Sequence, residues 1–308
     1  MWEKKGIESL FFPPIKYNVF QSILSLLTYR NLCYKHDYEI GMYGHDSVFM
    51  RYIMVFPYEN PAKHITVEHG NILVDCTAPQ NIDRYQDKLV LTYREERITY
   101  FNEVGVKAKA IGPYIHYAKN RVSKEIFKSI KQELGRVVLF FPHFSEKWNN
   151  EHTLCINMLL SWKNEGKVDS IVVCYRLDDV SKGADFINMY NKIGAIPACC
   201  GDMRNPFYMD HLKFLIELSD FTASNVVSTP VGYSLYMKKQ HFIIGDYKSR
   251  FNKNNPTDQK TIYLFEKLYR NLPEIYNIED EVVNKVSKWW GFDAVLSEKE
   301  FKKILLDS

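Results

Sequence analysis

Groups that bind phosphate follow the predicted strands in the second half of this 308-residue chain. If those strands form a parallel sheet, their carboxyl ends meet at one edge, where open α/β sheets bind ligands. Arginine can form bidentate hydrogen bonds with phosphate or carboxylate, and hydroxyls can form further hydrogen bonds. Taken alone, each residue has an ordinary structural explanation, and it is their convergence that indicates a ligand. The residues that follow the strands are His143, Ser145, Arg176, Asp202, Arg204, Ser228 and Thr229.

One turn in this half is especially rich in groups that bind an anion. The segment SDFTASNVVSTPVGY predicts a strand, a turn of small polar residues and a helix. Asn225, Ser228 and Thr229 fall where that helix begins, and its uncapped N–H groups suit a nucleotide phosphate. Gly232, just inside the helix, costs ~1 kcal/mol relative to Ala. Close approach of a ligand and simple packing of the helix explain this glycine equally well.

Acid–base groups follow two predicted strands in the first half. YEIGMYG (38–44) predicts a strand that ends at His45 and Asp46, and HITV predicts one that leads into Glu68 and His69. A carboxylate or imidazole at the mouth of a cleft can take a proton from a hydroxyl. We take Glu68 or His69 as the first choice for this base and His45 or Asp46 as the second. The competing explanation for each histidine is a structural role.

Strands and helices alternate along the chain, with short glycine-containing connections after residue 136. This alternation is typical of doubly wound parallel sheets. We therefore predict an α/β protein of two Rossmann-like domains that face a cleft. The predicted division is a first domain over 1–118, a linker helix over 119–135, a second domain over 136–275 and C-terminal helices over 276–308.

Composition excludes several classes of protein. A net charge of +3, without a long basic block, argues against nucleic acid as a partner. Six cysteines without zinc spacing predict buried reduced thiols, which are typical of cytosolic proteins. The sequence MWEKKGIESLFFPP has no signal-peptide pattern, and no apolar run is long enough to span a membrane.

Known catalytic and cofactor motifs are missing from the sequence. It contains no GxGxxG, GxxxxGK[ST], GxSxG or HExxH pattern. Asp178 and Asp179 follow a strand and could pair on a metal ion, but the start of a helix explains them better. We therefore predict neither a bound metal nor a cofactor.

The order of elements resembles the GT-B fold of nucleotide-sugar glycosyltransferases, with C-terminal helices that cross back to the first domain. The segment from GDMRNPFYMDHL to MKKQHFI also resembles bacterial proteins encoded with capsule or lipopolysaccharide genes. Those proteins share G-(H/D)-x-R, an aromatic helix and SN-x-x-(G/S)-T-x-x-GY in this order. VEHG and IGPYIHY are similar to their acceptor-domain segments. The chain departs from the pattern at Asp202, where His is frequent, and at Ser228-Thr229-Pro230, where Gly-Thr-His is frequent.

The resemblance implies metal-independent transfer of a sugar from a nucleotide-sugar donor to a hydroxyl of a bacterial surface glycan. It assigns the acceptor to the first domain, which supplies the base, and the nucleotide sugar to the second. The acceptor would be a glycan or lipid-linked glycan. We expect a cytoplasmic protein, and the weak positive charge allows peripheral contact with the inner membrane. The resemblance sets the donor against Arg204, Asn225, Ser228, Thr229 and Tyr233.

Two other functions fit the same sequence. An enzyme on the same architecture, such as a nucleotide-sugar epimerase, would need no acceptor and would release a free nucleotide sugar. A non-catalytic protein would bind a nucleotide or glycan without turnover. The nucleotide, the sugar and the stereochemical outcome stay open.

Overall fold

A computed structural model defines the fold for most of the chain after residue 41. Predicted elements outside its described residues, such as a helix over 17–34, are not discussed further. The described residues are 42–53, 64–68, 73, 85–143, 149–176, 184–201, 203–244, 259–269 and 277–307.

The first half contains a three-stranded sheet with strands in the order β1-β2-β3, all parallel. Its second and third strands are joined by a helix, as expected where apolar strands alternate with an amphipathic segment. In chain order, this half contains a 3-10 turn (Met42–Gly44), α1 (His45–Tyr52), β1 (Ile65–Val67), β2 (Leu89–Thr92), α2 (Glu95–Glu103), β3 (Ala108–Ala110), a 3-10 turn (Tyr114–Tyr117) and the linker helix α3 (Lys124–Leu134).

The second half contains a five-stranded parallel sheet, which confirms the doubly wound prediction. Its strand order, β6-β5-β4-β7-β8, reverses between β4 and β7, and such switch points are where open α/β sheets bind ligands. The elements are β4 (Val137–Phe141), α4 (Asn149–Asn164), β5 (Ser170–Tyr175), α5 (Ala184–Asn191), β6 (Ile196–Cys199), α6 (Tyr208–Leu218), β7 (Phe221–Ser224), α7 (Thr229–Tyr236) and β8 (Gln240–Ile243).

Burial of β4 on both faces shows why this sheet is so apolar in sequence. All five of its residues are buried, as expected for a parallel strand with helices on each side. Leu139 packs into the core shared with the first half, whereas Val138 and Phe140 pack into a separate core on the far face. Trp162 of α4 and Tyr190 of α5 fill that second core.

The C-terminal helices α9 (Asp280–Trp290) and α10 (Glu298–Asp307) pack back onto the first half, as predicted. The preceding helix, α8 (Gln259–Leu268), packs against β8 of the second sheet. Ahead of α10, the Leu296 N–H donates to the Tyr117 hydroxyl at 3.1 Å, and its carbonyl accepts from the Tyr52 hydroxyl at 3.0 Å. The Phe301 ring stacks on Tyr117, with centroids 4.7 Å apart. One buried core therefore runs through both halves and these helices.

The predicted strand over 38–44 is wrong for the part that the structure describes. Residues 42–44 form a 3-10 turn, and α1 begins directly at His45. Tyr43 and Gly44 have φ angles of 57° and 65°, so this backbone is left-handed and cannot continue a strand. His45 and Asp46 therefore start a helix, although the sequence placed them after a strand.

Candidate ligand site between the two halves

A cavity of about 210 Å³ lies at the carboxyl edge of the second sheet, against the first half. Its lining combines polar, aromatic and aliphatic side chains. The polar residues and tyrosines are Tyr43, His45, Tyr93, His143, Tyr175, Arg176, Tyr208, Ser228, Thr229 and Tyr233. The apolar residues are Phe141, Pro142, Cys174, Met209, Leu212, Val226 and Pro230.

The start of α7 forms one wall of the cavity. Ser228 is extended (φ −149°, ψ 175°), and Pro230 occupies the first turn, where the lack of an N–H costs nothing. Within the described residues, the Ser228 hydroxyl caps none of the first N–H groups of α7. The Ser228 and Thr229 hydroxyls and this helix end therefore offer donors to an anion in the cavity.

Asn225 fixes the strand end at the switch point. Its side-chain carbonyl accepts from the His143 N–H at 2.7 Å, and its amide donates to the His143 carbonyl at 3.1 Å. Asn225 is fully buried. This predicted donor-binding residue therefore joins the ends of β4 and β7 and holds His143 at the cavity, without itself lining it.

Two tyrosines connect the halves across the cavity. The Tyr93 hydroxyl, just after β2, lies 2.8 Å from the Tyr233 hydroxyl on α7. Burial raises the pKa of both phenols above the usual value, so both stay protonated. Tyr93 also stacks on Tyr114, with ring centroids 4.2 Å apart. This contact fixes the start of α7 relative to the first half.

Among the described candidate bases, His45 is the one that lines the cavity. It occupies the first position of α1, is 3% exposed, and meets the Tyr114 ring edge-on at 4.9 Å. Asp46 is outside the cavity lining, and its carboxylate accepts from the Ser47 N–H at 2.5 Å. His69 lies outside the described residues.

Glu68 is buried in an ion pair away from the cavity lining. The Arg97 Nε atom donates to Glu68 Oε1 at 2.7 Å, and Arg97 Nη2 lies 2.6 Å from the same oxygen. The Thr92 hydroxyl donates to the other carboxylate oxygen. At 1% exposure, this carboxylate is held by its neighbours, and its assignment as the base stays a prediction.

The other predicted donor-binding residues are distributed unevenly. His143, Arg176, Ser228, Thr229 and Tyr233 come together at the cavity. Arg204 is exposed and outside the cavity lining. Ser145, Asp202 and the aspartates at 178 and 179 lie outside the described residues.

Gly232 accommodates a tryptophan of α9. A Cβ atom built on Gly232 would lie 2.1 Å from the Trp290 indole, and Gly232 does not line the cavity. We therefore expect Gly232→Ala to reduce the free energy of unfolding by about 1–3 kcal/mol through overpacking. Urea unfolding of Gly232→Ala, Trp290→Leu and the double variant measures this effect. Additive losses in the double variant would contradict the contact.

Sequence reasoning missed four tyrosines of the site, Tyr43, Tyr93, Tyr175 and Tyr208. Tyr93 could have been found, because it directly follows β2 and the strand-end rule applies to it as well. Tyr208 starts α6 and Tyr43 precedes α1, so neither stands at the end of a strand. Only the packing of the two halves brings them together.

Within the described residues, no group of three or more His, Cys, Asp or Glu side chains is arranged to hold a metal ion. Among the helices in the described ranges, none has the length and apolar character needed to cross a membrane.

The fold and site define an α/β protein with two parallel sheets and a cavity at the switch point of the larger one. No protein-family model matches the sequence, and none of the curated proteins does.

Several solved structures resemble the fold. The wall teichoic acid polymerase TagF has a TM-score of 0.47 and 14% identity, over 78% of this chain and 66% of that one. MnaA of S. aureus, solved with UDP, has a TM-score of 0.42 and 10% identity over 86% of each chain. The UDP-GlcNAc 2-epimerase of Neisseria meningitidis bound to UDP-GlcNAc has a TM-score of 0.39 and 10% identity, over 76% of this chain and 69% of that one. With TM-scores below 0.5, these likenesses do not decide an activity.

Proposed function

We propose that the chain is an enzyme that transfers a sugar from a nucleotide-sugar donor to a hydroxyl of a bacterial surface glycan. One observation carries the proposal: strand ends of the second sheet and the start of α1 in the first half converge on one cavity. Arg176 and the start of α7 offer groups for a phosphate, and His45 offers an imidazole for a proton. Donor and acceptor therefore have matching groups around one space.

The proposed reaction needs one proton transfer and one leaving group. His45 takes the proton of the acceptor hydroxyl while its oxygen forms a bond to the anomeric carbon. The bond from that carbon to the phosphate oxygen breaks, and negative charge develops on the leaving nucleotide. Arg176 and the N–H groups of α7 stabilise that charge. The proposal includes no metal ion and no cofactor.

His45 replaces Glu68 as our preferred base because a base must reach the proton that it abstracts. His45 lines the cavity, whereas the Glu68 carboxylate is held by Arg97 and Thr92. The resemblance of the segment around Arg204 and Thr229 to surface-glycan proteins supports the acceptor class. Under this proposal the acceptor is a glycan or lipid-linked glycan, and the enzyme contacts the inner membrane peripherally.

We expect the arginines at two neighbouring strand ends to differ in nucleotide binding. Arg176 lines the cavity, and Arg204 is exposed outside its lining. Arg176→Ala should weaken binding about tenfold or more, because a hydrogen bond to a charged group contributes about 1.5–3 kcal/mol. Arg204→Ala is the matched control. Calorimetric titration with the nucleotides that raise the melting temperature measures both, and UDP and UDP-GlcNAc begin the panel.

If Arg204→Ala loses affinity and Arg176→Ala does not, the phosphate site lies outside this cavity. Thr229→Val provides an independent check, since it removes one hydroxyl while keeping the side-chain volume. It should weaken nucleotide binding in the same direction as Arg176→Ala. If neither variant changes affinity, the start of α7 is not the phosphate site.

His45→Ala is expected to lower turnover about 100-fold while nucleotide affinity is retained, as for loss of a general base. His64→Ala is the matched control, because His64 is exposed and outside the cavity lining. Transfer of a radiolabelled sugar, divided by the folded fraction, measures the effect. Turnover near that of the wild type in His45→Ala would assign the proton transfer to another group.

Epimerisation of a nucleotide sugar is the second candidate, because it would use the same phosphate-binding groups at the cavity and needs no acceptor. Product analysis separates the two reactions. An altered nucleotide sugar released without acceptor would indicate an epimerase, and nucleotide binding without any turnover would indicate a non-catalytic binding protein.

A further inference from the structure

Tyr43 has a backbone conformation that a tyrosine rarely adopts. Its φ of 57° and ψ of 20° place it in the left-handed region, where a bulky residue is a genuine outlier. Such conformations cost about 1–3 kcal/mol and occur mainly at functional sites, where the surroundings enforce them. The position of this strain relative to the cavity is therefore informative.

Among the described residues that are not glycine, Asp87 and Lys238 also have a positive φ angle. Asp87 lies in a turn, and aspartate tolerates this conformation. Lys238 follows the end of α7, a usual position for a left-handed residue. Neither lines the cavity, whereas Tyr43 does. Of these three residues, Tyr43 is therefore the one whose left-handed backbone has no ordinary local explanation.

Contacts with the second half enforce the conformation of Tyr43. Its N–H donates to the Met203 carbonyl. Next to it, Gly44 lies so close to the loop before α6 that an added Cβ would be 2.5 Å from the Asn205 carbonyl oxygen. The segment is thus pressed against the second half, and its side chain is directed to the cavity.

The Tyr43 ring lies between two other rings of the cavity. Its centroid is 4.9 Å from that of Tyr208 and 6.0 Å from that of His45. A flat aromatic face carries negative charge density that suits the C–H bonds on the apolar face of a sugar ring. Because the His45 ring is the 6.0 Å neighbour, the Tyr43 ring lies beside the proposed base. The start of α7, with the proposed phosphate-binding groups, lines the same cavity.

We propose that Tyr43 is a binding residue for the sugar of a nucleotide sugar, with its strained backbone holding the ring as a platform for the apolar face of that sugar. The assignment rests on the proposed function, since it requires the phosphate to bind at α7. It predicts that Tyr43 recognises the sugar and leaves recognition of the nucleotide to the second half.

The test compares a nucleotide sugar with its parent nucleotide in Tyr43 variants. The probe pair is the UDP-, GDP-, CMP- or dTDP-linked sugar that binds wild type most tightly, together with that nucleotide alone. Tyr43→Leu should weaken the nucleotide sugar about tenfold, the value of an aromatic contact of about 1.5 kcal/mol, and leave the nucleotide unchanged. Tyr43→Phe should restore most of the lost affinity.

Stability provides a second measurement if Tyr43→Leu folds poorly. Tyr43→Gly removes the strain together with the ring, so we expect an unchanged or higher melting temperature with loss of the preference for the nucleotide sugar. Lys238→Gly, the matched control, relieves a similar backbone away from the cavity and should keep that preference.

Three results would overturn the assignment. Tyr43→Gly could fold and bind the nucleotide sugar as tightly as wild type, or Tyr43→Leu could weaken both ligands equally. Either result would exclude Tyr43 as a sugar platform while the proposed function stands. If wild type binds no nucleotide or nucleotide sugar, the proposed function fails, and the assignment fails with it.

Discussion

Glu68→Ala is expected to reduce the free energy of unfolding by about 3–5 kcal/mol, because it leaves the Arg97 guanidinium buried without its carboxylate. The Arg97 side chain is fully buried, and the Glu68 side chain is 2% exposed. Two guanidinium nitrogens lie within 2.7 Å of one carboxylate oxygen. Breaking such a pair from one side is much more costly than replacing both partners.

The double variant Glu68→Leu/Arg97→Met distinguishes a structural pair from a catalytic carboxylate. Removal of both charges should restore most of the stability lost in Glu68→Ala, since neither side chain is then buried as an unpaired ion. Urea denaturation followed by circular dichroism measures all three proteins, and a double-mutant cycle gives the coupling energy.

The activity of that double variant decides the role of Glu68. If Glu68 only supports the fold, turnover per folded molecule should stay within a few-fold of wild type. A double variant that folds stably but loses turnover by 100-fold or more would show that Glu68 is the general base. A Glu68→Ala protein as stable as wild type would contradict the ion pair itself.

The second sheet could be predicted from sequence because its signals are local. Apolar strands, helices and glycine-containing turns alternate at short intervals, and such units form parallel sheets with one preferred handedness of connection. The strand ends at His143, Arg176 and Thr229 were therefore expected at one edge, and the structure brings them to one cavity.

The detailed role of each strand-end residue depends on partners far along the chain. Asn225 bonds the backbone of His143, 82 positions away, and Gly232 packs against Trp290. The sequence predicts that Asn225 faces the ligand and leaves ligand approach and packing equally open for Gly232, since a polar side chain or a glycine near a strand end has the same sequence pattern in either role. Tertiary packing alone distinguishes ligand contact from support.

The first half was harder to interpret for two physical reasons. Arg97 belongs to the charged part of α2, which is typical of a solvent-exposed helix, yet its side chain is fully buried. Its pairing with Glu68 therefore has no local signal in the sequence. The left-handed backbone at Tyr43 is also enforced from outside, by Met203 and the loop before α6. The alternation of YEIGMYG predicted a strand there, because a strained tyrosine is rare enough to be neglected.

Acidification from pH 7 to pH 5 is the second change for which we expect a large effect, a loss of about 6 kcal/mol in the free energy of unfolding from three histidines. Burial lowers the pKa of His241 to about 3 and the pKa values of His152 and His211 to about 4. In the unfolded chain a histidine has a pKa near ~6.5. Below that pH the unfolded state binds a proton that each folded site does not take up.

His241 shows why the folded state keeps the imidazole neutral. It lies on β8 and is fully buried against β7, with Nδ1 2.7 Å from the Thr222 hydroxyl and Nε2 2.9 Å from the Ser224 hydroxyl. Because the Ser224 hydroxyl donates to the Val226 carbonyl at 2.6 Å, it accepts from Nε2. The Thr222 hydroxyl can then donate to Nδ1, so a neutral ring satisfies both contacts.

The direction of the pH effect follows from these lowered pKa values. Stability is complete above pH ~6.5 and falls as the pH drops toward 4, since the unfolded state then binds more protons. Each histidine contributes about 1.4 kcal/mol per pH unit below that value, or about 2 kcal/mol at pH 5. Urea unfolding at half-unit intervals between pH 7 and pH 5 measures the slope.

His241→Gln assigns about a third of this slope to one residue. Its amide can still bond a neighbouring hydroxyl but does not titrate, so the loss between pH 7 and pH 5 should shrink by about 2 kcal/mol. The variant will be less stable at pH 7, and the comparison is therefore between slopes. An unchanged slope would mean that His241 already binds its proton in the folded protein, and that the hydroxyls of Thr222 and Ser224 rearrange to accept from a charged ring.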